Sequence, residues 1–161
     1  MDAIQRHRAP IQFALIYMAV ALGLVAAWIL IAPKHFYDEF PGPSQWVSAL
    51  PPYNEHLIRD FGSAGLGLAA LAGLAAVWME RRLVQATAVA LLVGSLPHAI
   101  YHSTTTETYS TADNLFSLAG LYLQVLLPLL VLYLASGRRQ EPLAGAEAAA
   151  STAAPATPKE A

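Results

Sequence analysis

The 161-residue chain contains no cysteine. That excludes disulfides, iron–sulfur clusters and thiolate metal sites, so any metal has to be held by imidazole, carboxylate or carbonyl groups. Charge is scarce too. Only 12% of residues are Asp, Glu, Lys or Arg, and the net charge is −2 with histidine neutral. No basic face accumulates, and a nucleic-acid partner is not expected. There is no phosphate loop, dinucleotide fingerprint or nucleophile elbow, which leaves ATPase and hydrolase chemistry without support. If the protein is an enzyme, no motif marks its catalytic residues.

What is present is apolar length. The chain is 56% hydrophobic, with a mean hydropathy of +0.45. Four runs, residues 11–32, 57–79, 83–102 and 112–135, each hold the roughly 20 residues needed to cross about 30 Å of hydrocarbon. None alternates with period two, so all four are expected to be helices. The first follows Arg6 and Arg8. It is longer than the apolar core of a signal peptide, and no small-x-small site follows before Pro33-Lys34, so it is expected to remain as a helix. The predicted fold is all-α, a four-transmembrane-helix bundle. Residues 1–10 form an N-terminal segment, 11–136 the membrane domain, and 137–161 an Ala/Pro/Thr-rich disordered tail.

Basic residues are distributed unevenly. Arg6 and Arg8, Arg81 and Arg82, and Arg138 and Arg139 occupy alternate polar segments, whereas the other two connections carry Lys34 alone. The positive-inside rule then places both termini in the cytoplasm and residues 33–56 and 103–111 outside the cytoplasmic membrane. The longer outer connection is rich in proline and aromatics: Phe36, Tyr37, Phe40, Trp46 and Tyr53. It reads as a structured lid, with PSQWVSAL, bounded by Pro43-Ser44 and Pro51-Pro52, expected to be a short helix.

On this topology the polar residues of the spans gather at one end. Span two opens with Glu55, His56, Arg59 and Asp60, span three ends with His98 and His102, and span four opens with Asp113 and Asn114. Glu55–Arg59, His56–Asp60 and His98–His102 are all spaced i,i+4. Asp113, Ser117, Gly120 and Gln124 form a small and polar stripe down span four. Ionisable residues in a membrane segment usually face a bundle interior or wet cavity, which suggests an outward-facing pocket. His56, Asp60, His98 and His102 are its candidate ligands for a transition metal, and histidines on facing helices could clamp haem. Plainer roles compete. Asn54 and Glu55 suit a helix start, and Ser110-x-x-Asp113 matches a capping box. His102 suits the interface, and Gly62, Gly65, Gly67 and Gly73 suit close helix packing. Pro97 and Pro128 are candidate kinks, and Trp28 and Trp78 interface anchors.

The segments PPYNEHLIRDFG and LPHAIYH, with a Gly/Ala-rich second span, resemble small uncharacterised four-helix membrane proteins of actinobacteria that are loosely DoxX-like. The resemblance covers roughly residues 10–135 and implies a four-helix bundle in the cytoplasmic membrane. It carries over no catalytic residue. Three readings follow: a membrane protein whose outer pocket binds a metal, haem or small ligand; an accessory subunit, with a membrane-protein partner, whose polar cluster locks the bundle; or an enzyme or carrier for a lipid-soluble substrate such as a quinone.

Overall fold

The computed structural model describes residues 3–137, and all regular structure among them is helical. Two short helices, α1 (Ala3–Arg6) and α3 (Pro33–Glu39), accompany four long ones: α2 (Arg8–Ile31), α4 (Glu55–Trp78), α5 (Arg81–Thr104) and α6 (Thr111–Ala135). The long helices are long and apolar enough to cross a membrane, with mean hydropathies from 1.6 to 2.5. Their ends lie within three residues of those expected from the sequence. The predicted tail lies, apart from Gly137, outside the described residues.

Local chemistry accounts for the helix boundaries. Asn54 opens α4, its side chain accepting from the Leu57 N–H at 3.1 Å. Ser110 opens α6, accepting from the Asp113 N–H at 3.1 Å and donating to Asp113 Oδ2 at 2.6 Å. α4 ends at Met79, which takes the left-handed conformation (φ 52°) and returns its N–H to the Ala75 carbonyl. Pro97 and Pro128 sit within α5 and α6, which continue through them.

One expectation is corrected in the loop. PSQWVSAL is not a helix but a series of turns, in which Gln45 has φ 49°, outside the helical range. The helix of this connection lies earlier, at α3, where Pro33 occupies the first turn and needs no N–H partner.

The long helices associate as two pairs. α2 packs chiefly on α4 and α5 chiefly on α6, with thinner contact from α4 to α5 and from α2 to α6. Small residues set the α2–α4 approach. A Cβ on Gly62 would lie 2.5 Å from Ile29 Cγ2, while Gly65 faces Ala26 and Gly23 faces Ala69. In lipid this closeness matters, because helices there gain little from the hydrophobic effect and rely on contact packing. Of the expected glycine set, Gly67 alone meets nothing within 4 Å.

The two ends of the bundle differ. A core drawn from all four long helices joins both pairs: Ile11, Leu15 and Met18 of α2, Ala72 and Ala76 of α4, Val84 and Ala88 of α5, and Val131 and Ala135 of α6. Every one of these residues lies in the half nearer Arg8 and Ala135, the terminal end. Nearer the middle of the bundle, the buried cluster Ala99, Leu121 and Val125 belongs, among the described residues, to α5 and α6 alone. Apolar packing thus closes the terminal end, and the loop end is closed by other means.

Candidate functional site

Closure at the loop end begins with aromatic side chains. Trp28, near the end of α2, meets Phe36 and Phe40 with ring centres 5.7 and 6.0 Å away, and Phe40 meets Trp46 at 6.2 Å. Tyr37 packs edge-on against Tyr53 at 5.0 Å, and the Lys34 ammonium lies over both rings. The chain of rings ends in polar contacts. Trp46 Nε1 donates to Asp113 Oδ1 at 3.1 Å, and the Tyr109 hydroxyl donates to the Trp46 carbonyl at 2.8 Å. Burial foremost, and the neighbouring Tyr101, push the Tyr109 phenol above its ordinary pKa, so it remains a donor through the neutral range. Asn114 Nδ2 completes the closure by donating to the carbonyls of Thr106 at 2.8 Å and Tyr109 at 3.2 Å. The lid therefore runs unbroken from α2 to the start of α6.

Glu55 and Arg59 also have internal roles. Arg59 Nε donates to Glu55 Oε1 at 2.8 Å, and its Nη1 donates to the Leu30 carbonyl at 3.0 Å. That carbonyl lies in the last turn of α2, where helix geometry leaves acceptors without an intrahelical partner. The same device recurs at the terminal end. Gln12 of α2 donates to the Ala76 carbonyl near the end of α4 at 2.9 Å, and Gln85 of α5 donates to the last carbonyl of α6, Ala135, at 3.2 Å. Sequence reasoning passed over Gln12 and Gln85, although each is a solitary amide near an apolar run. Trp46 carries only the signal of an aromatic loop residue in the sequence, and Tyr109 carries none.

Of the eight residues expected to line a pocket, Glu55, Arg59, Asp113 and Asn114 are engaged in these structural contacts. His56 and Asp60 pair with each other at 3.3 Å on the surface of α4, with side chains 88% and 63% exposed. On α6 the predicted stripe divides: Ser117 is buried, whereas Gly120 and Gln124 are exposed. Among the described residues, no three His, Asp or Glu side chains gather so that they could hold a metal ion. A four-ligand site from His56, Asp60, His98 and His102 is therefore not assembled. His98 and His102 do approach each other, with ring centres 4.9 Å apart, but as neighbours on one helix rather than partners across a haem. Tyr101 meets His102 edge-on at 5.3 Å, and Tyr109 stacks over it at 6.1 Å.

Trp28 also holds His35, its Nε1 donating to His35 Nδ1 at 3.0 Å. Trp78, at the other end, is 63% exposed, as an interface residue would be. Compared with family models, curated proteins and solved structures, the chain matches none.

Proposed function

We propose that the protein is an accessory or structural subunit of the cytoplasmic membrane, in which the polar residues of the loop end lock a four-helix bundle. One observation carries this reading: the Trp46–Asp113 hydrogen bond links the connection between α3 and α4 to the start of α6, at the end where, among the described residues, no apolar cluster joins the two helix pairs. The arginines before α2 and between α4 and α5 support an orientation with the terminal end in the cytoplasm and the lid outside. On this reading the DoxX-like resemblance concerns bundle architecture.

The lock and the pocket make opposite demands on two carboxylates. In the lock, Asp113 contributes stability and Asp60 does not. Asp113→Ala removes the charged acceptor of the Trp46 and Ser110 side-chain hydrogen bonds. It should lower the melting temperature in detergent. Asp60→Ala, on an exposed surface pair, should shift stability by no more than about 0.5 kcal/mol. Equal effects of the two substitutions, or a neutral Asp113→Ala, would remove the lock.

A further inference from the structure

His98 and His102 are left over from the lock. Their rings lie against each other, two tyrosines lie against the His102 ring, and among the described residues neither imidazole enters a hydrogen bond or ion pair. They occupy the last two turns of α5, just beneath the 105–110 connection. Polar groups near the edge of a membrane span carry a desolvation cost that a partner would offset. We infer that His98 and His102 together form a two-imidazole chelate for one divalent transition-metal ion, of the copper, nickel or zinc class, at the loop end of the bundle.

The separation of the two rings, inclined at 62°, falls in the range such an ion requires. Imidazole nitrogens bind these metals at about 2.0–2.1 Å, which puts each ring centre roughly 3.2 Å from the ion. Two rings at adjacent tetragonal or tetrahedral positions then have centres about 4.5–5.2 Å apart. The observed separation is 4.9 Å. The i,i+4 spacing puts both side chains on one helix face without any backbone change. Tyr109 stacked on His102 and Tyr101 against its edge wall that ring on two sides, which limits the rotamer freedom lost on binding. Among the described residues no third carboxylate or imidazole joins the pair, which makes this an open site, with the remaining positions left to water or an incoming ligand. It is suited to exchangeable rather than structural metal. Neutral imidazole favours Cu(II), Ni(II) and Zn(II) over Mg(II) or Ca(II).

The test uses the full chain in detergent, titrated with Cu(II) and followed by electron paramagnetic resonance. Zn(II) competition against a chelating dye gives the affinity. The wild type should bind one Cu(II) per chain with splitting from two imidazole nitrogens. His98→Gln and His102→Gln should each lose one nitrogen from the pattern and weaken Zn(II) binding at least tenfold. His7→Ala and His56→Ala, which remove imidazoles elsewhere, should change neither. Because glutamine keeps a polar side chain of moderate size, melting curves identify any variant that fails for want of folding. The wild-type spectrum stands independently of them. A wild-type spectrum without a nitrogen pair, or binding that survives in the His98→Gln/His102→Gln double variant, would overturn the site.

Discussion

At the residue scale, the least satisfied group inside the bundle is Thr87. Its side chain is fully buried in α5, and among the described residues its Oγ1 has no hydrogen-bond partner. A buried polar group without a partner costs about 1–3 kcal/mol, and an apolar group of the same shape removes that cost. Thr87→Val should therefore raise the melting temperature in detergent, and a drop of several degrees would show that the hydroxyl has a partner after all. Asp113 is the opposite case, because both its oxygens are engaged. The sequence made some of this legible and not the rest. The Asn54 and Ser110 caps and the Glu55–Arg59 pair are local, set by spacings of three or four residues, and all three form. Trp46 and Asp113 are 67 residues apart, and no local rule connects them. The outward pocket meets the same limit. Helical spacing aligns His56 with Asp60 and His98 with His102, but whether those faces converge depends on how the helices pair.

At the element scale, the long helices are tied by close approach and by borrowed caps. Arg59, Gln12 and Gln85 each reach from one helix to a carbonyl in the final turn of its neighbour, at α2, α4 and α6 respectively. In an apolar solvent such a donor does for a helix end what water does elsewhere. The α2–α4 seam depends on its glycines unequally. At Gly62 an added Cβ would meet the branched Ile29 side chain, with Cγ2 at 2.5 Å and Cβ at 3.0 Å, and neither atom can swing aside freely. At Gly65 it would meet Ala26 Cβ at an ordinary 3.5 Å. Gly62→Ala should thus lose about 1–3 kcal/mol to overpacking. Gly65→Ala should be neutral or gain up to about 1 kcal/mol from helix propensity. Melting the two variants side by side checks the seam, and a Gly62→Ala as stable as Gly65→Ala would mean that α2 and α4 are not held at this distance. Element positions were readable from apolar length alone, whereas α3 was not. Its seven residues, PKHFYDE, carry no periodicity long enough to register, and the prolines on either side of PSQWVSAL drew the expectation to the wrong segment.

At the scale of the whole molecule, the two ends of the bundle are closed by different chemistry, and each kind suits its setting in the proposed orientation. The apolar core lies near the arginine-bearing segments, and the aromatic lid with its hydrogen bonds caps the other end. Large side chains such as Phe13, Leu24, Val77, Val93, Phe116 and Tyr133 remain exposed along the helices, as a lipid-facing surface requires. The account rests on a chain that crosses the membrane four times with its lid outside, and the absence of cysteine makes this directly measurable. Single cysteines placed at Ser44 in the lid, Thr105 after α5 and Glu80 between α4 and α5 can be probed in intact cells with an impermeant thiol reagent. The account predicts labelling at Ser44 and Thr105, and labelling at Glu80 only after the membrane is opened. Labelling of Glu80 in intact cells, or protection of both Ser44 and Thr105, would contradict it.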